Sequence, residues 1–88
     1  MLDAKIVGRV IRRYREKIGK SQEVVSGLAD IERSHLSAIE RGERRPSLDT
    51  FYKIGLALDI GPSYLMKAIQ SEIEEQEEKQ QEQDKKQH

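Results

Sequence analysis

The spacing of the apolar residues is the feature that most limits what this 88-residue chain can fold into. Over residues 4–70 they recur at steps of three and four, as on one face of an α-helix, and no segment alternates like a half-buried strand. The stripe of the first segment consists of Ile6, Val7, Val10, Ile11, Tyr14 and Ile18. The spacing therefore predicts an all-α protein.

Start and stop signals divide this pattern into five predicted helices. Serine at an N-cap accepts a hydrogen bond from the first turn, proline suits the first helical position, and glycine readily ends a helix. The residues that give these signals are Ser21, Ser47, Pro62, Gly19 and Gly42. A chain of this length forms one domain at most, and such small domains often gain stability by oligomerising.

Charge divides the chain into two parts. Residues 1–70 hold 13 Lys and Arg against 9 Asp and Glu, a net charge of +4, whereas residues 71–88 hold 3 against 7, a net charge of −4. We therefore expect a basic globular domain at residues 1–70 and an acidic, Gln-rich tail at residues 71–88. Ile73 is the last apolar residue, so the tail is either a solvated helical extension or disordered.

Composition argues against several classes of protein. There is no cysteine, and the two histidines, His35 and His88, are too few and too far apart for a zinc site, so no metal or other cofactor is expected. No apolar run approaches the ~20 residues that span a bilayer, and the N-terminus has no signal-peptide pattern, which favours a cytoplasmic protein of bacterial or phage type. No Gly-rich phosphate loop or nucleophile–base pattern indicates an enzyme.

Two short predicted helices, at residues 21–29 and 32–41, are joined by a tight turn, which is the arrangement of a helix-turn-helix. The inner face of the first would be Val24, Val25 and Leu28, and that of the second Leu36 and Ile39. The outer face of the second carries guanidinium groups, two hydroxyls and a methyl, which suit base edges in a major groove. Its residues are Arg33, Ser34, Ser37, Ala38 and Arg41.

The chain resembles the Cro/cI-like (XRE-type) helix-turn-helix family of phage repressors and bacterial regulators. The resemblance covers about residues 4–70. It rests on "VGRVIRRYREKIGKSQ" at 7–22, "SHLSAIERG" at 34–42, "RPSL" at 45–48 and "KIGLALDI" at 53–60. It implies a five-helix lambda-repressor-like domain whose third helix enters the major groove of DNA.

The resemblance also implies roles for individual residues. One group matches positions that face the bases, a second matches positions that hold the DNA backbone, and a third matches a buried ion pair between the first and third helices. The positions that face the bases are Arg33, Ser34, Ser37 and Ala38. The positions that hold the DNA backbone are Gln22, Arg41, Arg44 and Arg45, and the ion pair is Arg15 with Glu40. His35 is expected to be a boundary side chain or a further phosphate contact. The sequence departs from the family at Asp30, where glycine is usual, and at Glu32, where serine or threonine is usual.

Two classes of function stay open at this stage. The first is a homodimeric, sequence-specific regulator, in particular a repressor, bound to a palindromic operator in double-stranded DNA. Its dimer interface is predicted on the fifth helix, at Tyr64, Leu65, Ala68, Ile69 and Ile73. The second is a protein-interaction module of the same fold, such as an antitoxin or an anti-repressor partner. Control is expected from protein concentration, dimerisation or a regulatory partner protein, and not from a small ligand.

Overall fold

The structure, a computed structural model, describes residues 2–86, with side chains described through residue 82. The helices are α1 (Ala4–Lys17), α2 (Gln22–Leu28), α3 (Arg33–Glu40), α4 (Leu48–Ala57) and α5 (Pro62–Lys86). No strand occurs within residues 2–86, and the predicted all-α, five-helix fold is confirmed. The end of the predicted tail, including His88, lies outside the described residues.

The helix starts and the central turn follow the predicted signals. The Ser21 hydroxyl accepts a hydrogen bond from the Val24 N–H at 3.1 Å, and the Ser47 hydroxyl accepts one from the Thr50 N–H at 3.1 Å. Between α2 and α3 the chain reverses at Asp30, whose φ of 55° lies in the left-handed region. Aspartate tolerates this region better than most residues other than glycine, so the turn forms without the usual glycine.

All five helices contribute to one core. The side chains of Val10, Val25, Leu36, Ile54 and Leu65 come from α1 to α5 in turn, and each is 0% exposed. Fully burying such a side chain stabilises the fold by about 1.5–3 kcal/mol. The third helix has only eight residues but supplies two fully buried side chains, Leu36 and Ile39, which hold its inner face against the core.

Helix α1 crosses α3 at Gly8, where the two backbones touch. A β-carbon at this position would lie 2.1 Å from the carbonyl oxygen of Ile39 and 2.7 Å from that of Glu40. Glycine in a helix interior costs about 1 kcal/mol relative to alanine. Glycine occupies this position despite its lower helix propensity, because any larger residue would keep α1 from approaching α3 so closely.

The predicted apolar face of α2 is wrong in two of its three residues. Val25 is fully buried, but Val24 and Leu28 are 48% and 60% exposed. The buried partner of Val25 is Ala29, four residues later and at the helix end. A helix of seven residues has only two turns, so it directs one narrow face into the core, here Val25, Ser26 and the C-cap Ala29, and Val24 and Leu28 lie outside that face in solvent.

The predicted dimer interface on α5 is wrong for Leu65 and Ile69. Both side chains are 0% exposed and belong to the core of the chain itself, because α5 packs against α1 on one side and α4 on the other. A partner chain could not reach them. Of the remaining three residues, Tyr64 is 54% exposed, and Ala68 and Ile73 are half-buried.

The acidic tail continues α5 as a helix through Lys86 within the described residues. Near the start of this extension the half-buried Glu72 contacts α1, since its carboxylate lies 3.3 Å from Arg9 and 3.5 Å from Arg13. The side chains of residues 74–82 are all exposed. The extension gives the molecule extents of 50 × 23 × 22 Å. Neither α5 nor any other described helix has the apolar length needed to cross a membrane.

Candidate nucleic-acid interface

The outer face of α3 is open to solvent and carries the predicted base-reading groups. Arg33 and Ser34 are exposed at its first turn, and Ser37 is half-buried one turn later. Together with Arg41 these side chains line a shallow depression of about 280 Å³. Small hydroxyls between two guanidinium groups leave room for a flat, polar surface such as a base edge.

Two other residues predicted for this surface lie at its margin. Ala38 and His35 are both half-buried, and neither lines the depression. Ala38 adds no polar group, so its contribution is limited to close approach and a methyl contact. The half-buried position of His35 is compatible with both roles expected from the sequence, a boundary side chain or a phosphate contact.

A buried ion pair joins α3 to α1 on the side away from the outer face. The Arg15 Nε and Nη2 donate to the two carboxylate oxygens of Glu40 at 2.7 and 2.9 Å, and the side chains are 12% and 2% exposed. The hydrogen bond to Glu40 raises the pKa of Arg15. Its Nη1 also donates to the carbonyl oxygen of Lys20 at 2.9 Å. The structure thus brings together the pair expected from the family resemblance.

Gln22, predicted to hold the DNA backbone, is part of the same cluster. Its Nε2 donates to the Glu40 carboxylate at 3.1 Å and therefore ties the start of α2 to α3. Sequence reasoning missed this contact. Residues 22 and 40 are far apart in the chain, and only the packing of α2 on α3 brings them together. One carboxylate of α3 thereby receives hydrogen bonds from α1 and from α2, which fixes the orientation of the outer face.

The three arginines of the α3–α4 loop differ in their surroundings. Arg44 is exposed, whereas the Arg45 Nε donates to the backbone oxygen of Leu2 at 3.3 Å. The Arg41 side chain forms an ion pair with Glu43 at 2.9 Å and donates to the Ser37 hydroxyl. The sequence does not predict the contacts of Arg41 and Arg45, because each depends on the path of the loop. The predicted backbone-holding loop is therefore a set of cations whose guanidinium groups are partly engaged within the protein.

Comparison with known proteins gives the same picture. A profile of the helix-turn-helix family matches residues 11–65, more than half of the chain. The chain belongs to this family. The family relationship makes it a DNA-binding transcription regulator and not an enzyme. The matched segment includes the ion pair, the outer face of α3 and the three loop arginines.

Two relatives of known sequence and two solved structures are similar to the chain. It is 39% identical over 62 residues to the control protein C.BamHI of Bacillus amyloliquefaciens, covering 69% of this chain and 76% of that protein. It is 36% identical over 56 residues to the uncharacterized HTH-type transcriptional regulator y4dJ of Sinorhizobium fredii, covering 64% and 73%.

Among the structures, the restriction-modification controller protein C.AhdI of Aeromonas hydrophila is 37% identical, with a TM-score of 0.69 over 74% of this chain and 98% of that one. C.Esp1396I bound to a 25 base pair operator site is 23% identical, with a TM-score of 0.75 over 83% of this chain and 96% of that one, and it supports the fold alone.

Proposed function

We propose that this chain is a homodimeric transcriptional repressor that recognises a palindromic operator in duplex DNA, with α3 in the major groove. The observation that carries the proposal is the construction of α3. Its inner face is fixed by Leu36, Ile39 and the Glu40 ion pair, while its outer face presents Arg33, Ser34 and Ser37 to solvent. A helix whose inner face is fixed to the core is suited to reading bases, because a small displacement of the helix would misalign its hydrogen bonds to the base edges.

The proposal divides the basic residues into two kinds. Arg33 lies at the N-terminal end of α3, where a recognition helix enters the groove, and arginine pairs well with guanine O6 and N7. Arg44 and Arg45 lie in the loop and would contact phosphates, which position the protein without reading sequence. The C.Esp1396I complex with an operator supports the use of this fold on duplex DNA.

Binding measurements on point variants test this division. A preferred site is first selected from a random duplex pool, and every single-base variant of it is then measured at two or more salt concentrations. Arg33→Ala should lose ~1–3 kcal/mol on the preferred site and relax the base choice at one position per half-site. Arg44→Ala should weaken all sequences alike and reduce the salt slope by about one. Equal weakening of every sequence by Arg33→Ala would make Arg33 a phosphate contact.

The dimer is proposed to form through α4, in place of the α5 face predicted from the sequence. Leu48, Tyr52 and Leu56 lie four residues apart on one side of α4 and are 80%, 56% and 53% exposed. A two-fold dimer requires a surface that pairs with itself, and an apolar stripe without charge meets that requirement. One helix-turn-helix covers few base pairs, so a second copy is the occupant that operator recognition calls for.

Two matched variants distinguish the α4 surface from the α5 surface. Leu56→Glu and Tyr64→Glu each place one charge on an apolar side chain of similar exposure. Sedimentation equilibrium should show a dimer for the Tyr64 variant and a monomer for the Leu56 variant. The opposite result would return the interface to α5, and a wild-type monomer, both alone and on a palindromic duplex, would contradict dimerisation. Transcription from a promoter that carries the selected site, with and without the protein, distinguishes repression from activation.

A further inference from the structure

The guanidinium group of Arg41, at the C-terminal end of α3, is occupied within the protein. Its Nε and Nη2 donate to the two carboxylate oxygens of Glu43 at 3.1 and 2.9 Å, and its Nη1 donates to the Ser37 hydroxyl. The side chains of Arg41 and Glu43 are 53% and 59% exposed, so the pair lies in solvent beside the depression on α3.

This two-pronged contact has the shape of a contact between arginine and phosphate. Carboxylate and phosphate both accept two parallel N–H bonds from a guanidinium group, and the two ligands compete for the same donors. Glu43 is also the one acidic residue in the loop segment 41–45, which otherwise holds three arginines. Its carboxylate therefore occupies the donors that a DNA phosphate beside α3 would need.

We propose that Glu43 is an internal competitor of DNA that occupies Arg41 in the free protein and lowers the affinity for every duplex. Binding moves the Arg41 guanidinium from the carboxylate to a phosphate and also releases the Ser37 hydroxyl for the groove. The proposal rests on the proposed function, since it needs duplex DNA as the ligand. Hydrogen bonds from Arg41 lower the pKa of Glu43, so the competing carboxylate is ionised at neutral pH.

The opposite role for Glu43 makes an opposite prediction. If the carboxylate only orients Arg41 toward the groove, removing its charge should loosen the side chain and weaken binding. If it competes, removing the charge should strengthen binding. Glu43→Gln distinguishes the two because glutamine keeps the size of the side chain. Both residues are exposed and outside the core, so the fold should be retained, which a thermal melt verifies.

The experiment measures Kd for the duplex selected by the wild-type chain and for a mixed-sequence duplex of the same length. Glu43→Gln should bind both about two- to fivefold more tightly at low salt, the range expected for freeing an exposed ion pair. The gain should shrink as salt is raised, because screening already weakens the pair. Glu77→Gln, which removes the same charge from an exposed position on α5, should leave both affinities unchanged.

A double-mutant cycle with Arg41→Ala then shows whether Glu43 acts through Arg41. In the Arg41→Ala background, Glu43→Gln should give no gain. A gain of the same size in both backgrounds, an equal gain from Glu77→Gln, or an unchanged or weaker affinity of Glu43→Gln would overturn the inference while leaving DNA binding intact. Failure of the wild-type chain to bind either duplex would instead refute the proposed function itself.

Discussion

Replacing Gly8 by alanine tests whether the closeness of α1 and α3 governs stability. Two effects oppose each other in this variant. Alanine favours the helix by about 1 kcal/mol relative to glycine. The added methyl group, however, would lie 2.1 Å from the Ile39 carbonyl oxygen, whereas ordinary contacts begin at 3.4 Å, so the two helices would have to separate by about 1.3 Å. The opposing atoms belong to the backbone, which cannot rotate away as a side chain can.

The change in the free energy of unfolding is the difference between these two effects. Overpacking by one methyl group typically costs about 1–3 kcal/mol, and occasionally more, and a rigid backbone places Gly8 at the upper end. We expect a net loss of about 2 kcal/mol after the helix gain is subtracted. For a domain of this size each kcal/mol shifts Tm by about 4–8 °C, so Tm should fall by roughly 10 °C. DNA affinity should fall as well, because α3 is displaced.

Gly27→Ala provides the matched control. Gly27 is also helical and exposed, and nothing lies within 4 Å of the β-carbon that alanine would add. The same substitution should therefore raise the free energy of unfolding by up to about 1 kcal/mol. Both variants are compared by urea denaturation and thermal melting followed by circular dichroism. A Gly8→Ala protein as stable as wild type, or more stable, would refute the close contact between the two helices.

Three further predictions concern the ion pair, one tyrosine and the tail. Glu40→Ala leaves Arg15 buried without its partner and should cost ~3–5 kcal/mol in chemical denaturation; a melt within a degree or two of wild type would contradict it. Burial and the neighbouring Tyr64 raise the pKa of Tyr14, so its contribution is complete below about pH 10 and is lost as pH rises through the folded-state pKa. Tyr14→Phe should make the alkaline fall in the free energy of unfolding shallower, and an identical fall would exclude Tyr14 as its source. Deleting residues 74–88 should leave Tm nearly unchanged, because the side chains described there are exposed, and a large drop would show that the tail packs on another copy.

Signals that act within a few residues could be predicted from the sequence. The caps Ser21 and Ser47 and the helical periodicity depend on local geometry, and the structure has all of them. The family resemblance added the Arg15–Glu40 pair, which no local pattern gives.

Features set by the mutual packing of helices were less accessible. Periodicity identifies an apolar stripe but not the element that covers it. The sequence therefore predicts a partner chain over Leu65 and Ile69, whereas α1 and α4 of the same chain enclose them. The exposure of Leu28 has the same cause, because a two-turn helix buries fewer of its apolar side chains than its composition suggests. The Arg41–Glu43 pair crosses the left-handed Gly42, whose φ of 76° sets the direction of both side chains, and residue spacing alone does not reveal it.

The projecting end of α5 affects how the size of this protein must be measured. A helix of 25 residues is about 37 Å long, and the chain as a whole is more than twice as long as it is wide. Such a shape has more friction in water than a sphere of the same mass of 10.2 kDa. On a gel-filtration column calibrated with globular standards, a monomer would elute early and imitate a dimer. The oligomeric state therefore has to be measured by a method that gives the molar mass independently of shape, such as light scattering.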